Sequence, residues 1–466
     1  MNIKKFKNLS GINSQTSINL LALVLVNSFS FFATPVISKL VGTEGYGVCS
    51  IYVTYVNMFA IICALKVGAS INTAKVKYAD EFNEYCSNIL LLGLTVSAAF
   101  AAIAILLRNY IGSLIEIDPV FIICLAVQGM ASYVITFMTS VQINEKRAQR
   151  NLLLSFAVIF STTILSIVLI KVMGGHYAGR IIGLVIPNVI IGIICAAIVF
   201  GRSKPVFNAD HWKYALLFGI PVIFQDLSSI VLSQADKVML QKSIGFSEAG
   251  IYSLGVTFTH VTSIIYQAIN KSWVPFYYED VSKANYERIK DRAKSSMFNM
   301  TCICMGFLLV SKEFFGWYAP KDYSPAMNVL PILVFGCYMQ YLYFFPVNHE
   351  LYHSNTIYVA VGTVSAFIIN IILNSMMIPK WGMVGASIAT ATSYLVLFLF
   401  HDFIARFKYA DTYAISIRMN LQCLASVVAV YIYFYVFMNQ WLIRWILAAF
   451  IGIVLLLRLK KKRGLF

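Results

Sequence analysis

Apolar runs of about twenty residues alternate with short polar breaks from Leu20 to Leu457, about fourteen runs in all. Each run has the length of an α-helix that crosses a hydrocarbon core at about 1.5 Å per residue, so the pattern predicts an all-α integral membrane protein with about fourteen transmembrane helices. The predicted spans lie near 19–40, 47–66, 87–107, 118–141, 151–172, 179–200, 213–240, 249–271, 295–315, 326–346, 356–378, 383–405, 419–438 and 441–458. No break between them is long enough for a soluble domain. The longest, Tyr277 to Lys294, is charged and predicts a cytoplasmic surface helix joining two halves.

Those halves carry a repeat. Residues 38–54 read SKLVGTEGYGVCSIYVT and residues 241–257 read QKSIGFSEAGIYSLGVT, with Lys39/Lys242, Gly42/Gly245, Gly47/Gly250, Ser50/Ser253, Val53/Val256 and Thr54/Thr257 identical. Both stretches fall between the first two helices of a six-helix unit. Six crossings return the chain to the side it started from, so the pattern predicts two parallel-repeat six-helix bundles. Their expected bounds are 1–205 and 206–410, with two extra C-terminal helices and a basic tail over 411–466.

Composition agrees: hydrophobic residues make up 59% of the chain and charged ones 12%, which excludes an ordinary soluble protein. The formal net charge is +16, and its distribution sets the orientation. Lys4, Lys5 and Lys7 share a side with Lys146, Arg147 and Arg150, with Arg202, Lys204 and Lys213, with Lys283, Arg288, Lys290, Arg292 and Lys294, and with the tail Lys460, Lys461, Lys462 and Arg463. Breaks of the other parity, around Arg108, Lys171, Lys242, Lys312 and Lys380, are poorer in charge, so both termini are expected in the cytoplasm. Nothing in this charge calls for nucleic acid. The first span is too long for a signal-peptide core and lacks a small-residue cleavage site, so it is expected to remain as a helix. The nine cysteines lie mostly inside apolar spans, without metal or disulfide spacing.

Three stretches resemble a known family. WKYALLFGIPVIFQDLSSIVLSQADKVMLQKSIGFSEAGIYSLG, Trp212 to Gly255, looks like the seventh-helix signature of the bacterial polysaccharide biosynthesis or oligosaccharide flippase family, which includes O-antigen and capsule-unit flippases. INIILNSMMIPKWGMVGASIATATSYL, Ile369 to Leu395, resembles its eleventh- and twelfth-helix signature, and GTEGYG, Gly42 to Gly47, its first outer turn. The resemblance implies membership of the multidrug, oligosaccharidyl-lipid and polysaccharide exporter superfamily, and a flippase that carries undecaprenyl-pyrophosphate-linked oligosaccharide to the outer leaflet of a bacterial plasma membrane by alternating access. A polysaccharide polymerase and chain-length proteins are the partners it implies. A drug or small-molecule exporter of the same superfamily is the alternative. A polymerase would be expected to carry a large extracytoplasmic loop, and the chain has none.

Moving a pyrophosphate and sugars through hydrocarbon requires a shielded path with cations and hydrogen-bonding groups, so charges inside spans are the candidate site. Asp226, beside Gln225 and after Pro221, lies about 20 Å from the inner surface by helical rise and could bind H+ or Na+ or serve as a structural carboxylate. His260 reaches similar depth, as a proton site or a hydrogen-bonded core histidine. Lys66 and Lys271 end the second and eighth spans, where they would meet a pyrophosphate at the cytosolic headgroup level or simply snorkel. Depth therefore separates these lysines from Asp226. Asp236 and Lys237, near the outer end of the seventh span, match an acidic-basic pair in the family signature and could equally be an ion pair fixing helix packing. Gly42, Gly47, Gly245 and Gly250 mark the outer-gate turns.

One motif points to an enzyme. HELYH, with His349, Glu350 and His353, fits H-E-x-x-H, in which two histidines one turn apart hold zinc beside a catalytic Glu. No Glu follows it in the chain, no third-histidine extension is present, and a further ligand would have to be His401 or Asp402. The motif is therefore expected to be a chance match at a helix end, with a membrane metalloprotease as a minor alternative. No phosphate-cradling Gly loop or catalytic triad pattern appears, and no enzyme activity, cofactor or resident metal is expected.

Overall fold

The computed structural model describes residues 14–462, with side chains described over 24–460. Fourteen α-helices and two short 3-10 segments make up these residues, which include no strand. The α-helices are α1 Ser14–Cys63, α2 Ile71–Lys77, α3 Phe82–Leu106, α4 Arg108–Ile115, α5 Pro119–Asn144, α6 Ala148–Val172, α7 Ala178–Arg202, α8 Ala209–Ser243, α9 Phe246–Ser282, α10 Tyr286–Tyr318, α11 Leu330–Tyr352, α12 Thr356–Lys408, α13 Ile417–Val436 and α14 Trp441–Lys462.

Eleven of these are long and apolar enough to cross a membrane. Two of the eleven are broken in the middle, α1 at Gly42 and α12 at Gly382, and each holds two crossing-length arms. The 37-residue α9 adds a further crossing by length. It is less apolar because Thr259, His260, Ser263, Gln267, Asn270 and Lys271 interrupt it. The breaks fall where the repeat placed them: Gly42 has φ 72° and ψ 178°, and Gly245, between α8 and α9, has φ 135° and ψ 174°. Only glycine takes such angles without strain, so the shared residue enforces a shared turn.

The crossing helices are built inside out relative to a soluble bundle. On α6 the exposed face carries Leu153, Phe156, Phe160, Ile164, Val168 and Val172, at helical spacing, while Asn151, Thr162, Thr163 and Ser166 are buried. With lipid as solvent there is no gain in hiding leucine, whereas every polar group must find a protein partner. Ser166 illustrates the point, donating to the Thr162 carbonyl at 2.6 Å and accepting from Arg180 Nη1 at 2.9 Å.

Packing divides the chain into two compact units, Met1–Ile230 and Val231–Phe466, with the boundary inside α8. In the first, α5 packs on α1, α3 and α7, and α6 packs on α1 and α7. In the second, α11 packs on α9 and α12, and α10 carries both α13 and α14. A wholly buried guanidinium pins α14: Arg444 donates to the Leu309 carbonyl at 2.6 Å, to the Phe437 carbonyl at 3.2 Å and to the Glu313 carboxylate.

The charged stretch Tyr277 to Lys294 does not form the separate surface helix expected of it. Instead α9 runs on to Ser282 and α10 begins at Tyr286, with only a short turn between, because Asp280 on α9 is clamped by Arg288 and Arg292 of α10 and so stabilises both helix ends.

Candidate functional site

In the first unit α1 ends at Cys63, and Leu65 and Lys66 follow in left-handed conformation, φ 48° each. This costs a non-glycine residue about 1–2 kcal/mol, so neighbouring structure must hold the turn. One neighbour is α8: a Cβ at Gly219 would lie 2.5 Å from the Leu65 carbonyl oxygen, so glycine is what lets α8 close on the turn. Two helical turns further along α8, Asp226 Oδ2 lies 2.7 Å from Lys66 Nζ, with the two side chains 32% and 31% exposed.

Lys66 lines a cavity of about 310 Å³ together with Asn57, Asn72, Ser132, Thr136 and Ser140. The three hydroxyl residues recur every fourth position along α5 and so share one face. The row continues to Asn144, which donates to Asn72 Oδ1 at 2.6 Å. Cation, hydroxyls and amides thus converge in a bundle that is otherwise apolar, a set suited to phosphate oxygens and sugar hydroxyls.

The second unit has a cavity of about 280 Å³ lined by Asp236, Tyr252, His260, Tyr266, Gln340 and Tyr394 among others. Asp236 is buried and fully engaged, accepting from the Tyr252 hydroxyl, from Thr390 Oγ1 at 3.4 Å and from the Lys237 backbone N–H at 2.9 Å. The Lys237 ammonium donates to Gln234 Oε1 at 2.7 Å instead. The expected Asp236–Lys237 packing ion pair is therefore absent, because consecutive residues on a helix point about 100° apart.

The other expected residues divide. Lys66 and Asp226 are not separated by depth, as helical rise implied, but paired. Depth counting assumed that the chain leaves the membrane at Lys66, whereas it continues through the 3-10 turn Val67–Ser70 and α2 before turning into α3. Lys271 and Gln225 are exposed, neither lines the 310 Å³ cavity, and Lys271 makes no ion pair among the described residues. His260 is not a satisfied core histidine: it is exposed along the second cavity and makes no side-chain hydrogen bond among the described residues. Gly42 and Gly245 form the turns, but Gly47 and Gly250 are buried helical positions. Asn57, Asn72, Ser132, Thr136 and Ser140 escaped a search confined to charges.

HELYH closes the last turn of α11, and both nitrogens of His349 and one carboxylate oxygen of Glu350 are bonded within the protein. His349 Nδ1 bonds the Tyr277 hydroxyl at 2.8 Å and Nε2 bonds Thr412 Oγ1 at 3.1 Å. Glu350 bonds His401 Nδ1 at 2.8 Å, with both side chains wholly buried. His353 stacks on Tyr409, and Asp402 receives two bonds from Arg406. Among the described residues no three metal-ligating side chains converge.

A lipid-facing helical bundle with a polar cavity walled inside each unit is the architecture of a membrane transporter. The chain is similar in fold to the lipid II flippase MurJ in an inward closed conformation, with a TM-score of 0.73 at 14% identity over 93% of this chain and 97% of that one. It is similar also to an inward-facing MATE family multidrug transporter of the MOP superfamily, with a TM-score of 0.66 at 13% identity over 87% and 97%. The family model described as polysaccharide biosynthesis protein matches residues 13–279, and the chain belongs to that family, as the three sequence stretches implied. An uncharacterized membrane protein of Haemophilus influenzae is 22% identical over 73% of this chain and 84% of its own length. A probable low-salt glycan biosynthesis flippase, Agl15, of Haloferax volcanii is 25% identical over 43% of this chain and 42% of its own.

Proposed function

We propose that the chain is a flippase that carries polyprenyl-pyrophosphate-linked oligosaccharide units, with undecaprenyl as the lipid, from the inner to the outer leaflet of a bacterial plasma membrane by alternating access. The product would feed O-antigen, capsule or exopolysaccharide synthesis, alongside a polysaccharide polymerase and chain-length proteins. The observation that carries this reading is the cavity of the first unit, where a part-exposed lysine shares the lining with hydroxyls and amides. Lys66 would take a pyrophosphate oxygen, and Asn57, Asn72, Ser132, Thr136 and Ser140 the remaining oxygens or the first sugar. Lys271, on α9 of the second unit, would meet the anion on entry.

Similarity to MATE transporters brings in the second reading, an exporter of drugs. A site for cationic drugs needs an available carboxylate. Here Asp236 is occupied by three donors, and the first cavity places an ammonium among hydroxyls and amides, which favours an anionic cargo. His260, which lines the second cavity, is our candidate for the coupling H+, and both termini are assigned to the cytoplasm on the Lys/Arg asymmetry.

The test is physiological and biochemical together. Deleting the gene should lower surface polysaccharide and trap lipid-linked glycan on the cytosolic leaflet, and vesicles containing the purified chain should flip a fluorescent polyprenyl-pyrophosphate sugar. Unchanged polysaccharide with altered susceptibility to cationic drugs would instead establish the exporter.

A further inference from the structure

Two carboxylates elsewhere in the molecule are held more than once. The Asp402 carboxylate accepts two bonds from Arg406 and further bonds from Asn420 and Tyr413, and Asp280 sits between Arg288 and Arg292. Lys66 and Asp226 are different. Among the described residues each has the other as its sole side-chain partner, through a single contact at 2.7 Å, and a third of each side chain is open. A pair with one contact and partial exposure is one that a competing ion can take apart.

The two partners are also mounted differently. The lysine projects from a turn whose left-handed residues Leu65 and Lys66 are locked against α8 at Gly219, and it faces the 310 Å³ cavity. Asp226 projects from a part of α8 beyond its anchors on the first unit. Those anchors are His211 against Asn88 and Glu81, Tyr214 donating to Thr73 Oγ1 at 2.8 Å, and the close approach at Gly219. Past Gly219, α8 turns exposed residues such as Phe224 and Gln225 outward. The cation is fixed and its counter-ion is carried on the less anchored element.

We infer that Asp226 is a stand-in anion: it occupies Lys66 while the cavity is empty and is displaced by the pyrophosphate group of the cargo, which releases the Asp226 stretch of α8 from the turn after α1. This rests on the flippase reading above, and it replaces the coupling-ion role considered for Asp226. A diphosphate carries more charge and more acceptor oxygens than a carboxylate and can use the neighbouring hydroxyls of Ser132, Thr136 and Ser140 at the same time, so it outcompetes the aspartate for one lysine. The carboxylate keeps the lysine from standing uncompensated between turnovers.

The inference reverses the sign usually expected on losing a buried-site carboxylate. In lipid nanodiscs containing the full chain, binding of undecaprenyl pyrophosphate without sugar should tighten about two- to fivefold in Asp226→Asn, because the competitor is gone. Binding should weaken about tenfold or more in Lys66→Ala. In the double variant the gain from Asp226→Asn should shrink or vanish, a coupling that a merely structural pair does not produce. Inorganic pyrophosphate should compete with the lipid in wild type and in Asp226→Asn but not in Lys66→Ala.

Unchanged or weaker binding in Asp226→Asn, with Lys66→Ala still impaired, would overturn the stand-in role and leave the flippase reading intact. Unchanged binding in Lys66→Ala would overturn both the role and the place assigned to the anion. Binding of inorganic pyrophosphate with none of the lipid-linked form would assign the cavity to a soluble anion and overturn the proposal.

Discussion

Two acid-base pairs of this protein, one in each unit, are built on opposite plans. Glu350 and His401 are wholly buried at 2.8 Å, with Gly362 of α12 so close that a Cβ there would lie 2.4 Å from His401 Nε2. Lys66 and Asp226 meet at 2.7 Å but are about one-third exposed, beside a cavity. Distance does not distinguish the pairs; access does. A pair sealed from solvent and ligand holds helices together, and its members have nowhere else to go. A pair at a cavity wall adds little to stability because water and ions already compete for it, and that same competition makes it available for binding.

The comparison breaks most readily at the sealed pair. Glu350→Ala leaves the His401 ring without its partner and should destabilise the protein by about 3–5 kcal/mol, seen as loss of folded protein on thermal unfolding in detergent. Melting within a degree or two of wild type would mean the buried pair contributes little. Gly362→Ala should come next, at about 1–3 kcal/mol from the clash with the His401 ring. Combining it with His401→Ala should cost less than the two single changes added together, and strict additivity would show that the ring is not what the glycine accommodates. Glu350→Gln keeps a hydrogen-bonding side chain of the same shape and should leave transport close to normal, with no stoichiometric zinc in the purified protein. Bound zinc together with lost activity would revive the metalloprotease. The smallest effect belongs to the open pair: Lys66→Ala or Asp226→Asn should change stability by no more than about 1 kcal/mol. A larger loss would make that pair structural after all.

Much of the fold was legible because span length and glycine placement are local properties. The apolar runs marked the crossing helices, and the repeated Gly42 and Gly245 marked two breaks at which the backbone takes a positive φ. The site was less legible. Helical rise measures depth only if helices begin and end at the membrane faces, and the turn after Cys63 defeats that assumption, which is how the pairing of Lys66 with Asp226 stayed hidden. Asn57 and Asn72 come from separate segments and carry no joint signal. Ser132, Thr136, Ser140 and Asn144 do: their four-residue spacing in an apolar span was the readable sign of a polar inner face. HELYH misled because spacing says that two histidines share a face and nothing about what already fills it. In the fold the Tyr277 and Thr412 hydroxyls bond His349, and Tyr409 stacks on His353.

The buried guanidinium of α14 bears on how the chain is made. Arg444, in the first turn of α14, is wholly buried instead of reaching outward to water, and it is compensated by Glu313, which lies 131 residues earlier in the chain. The acid is therefore synthesised, and α10 inserted, well before the base emerges from the ribosome. We expect α14 to enter the bilayer against an already waiting partner, so that order of synthesis supplies what hydrophobicity alone does not. Protease protection of the C-terminal tail in Glu313→Ala would test this: a tail that is processed as in wild type would mean α14 inserts unaided.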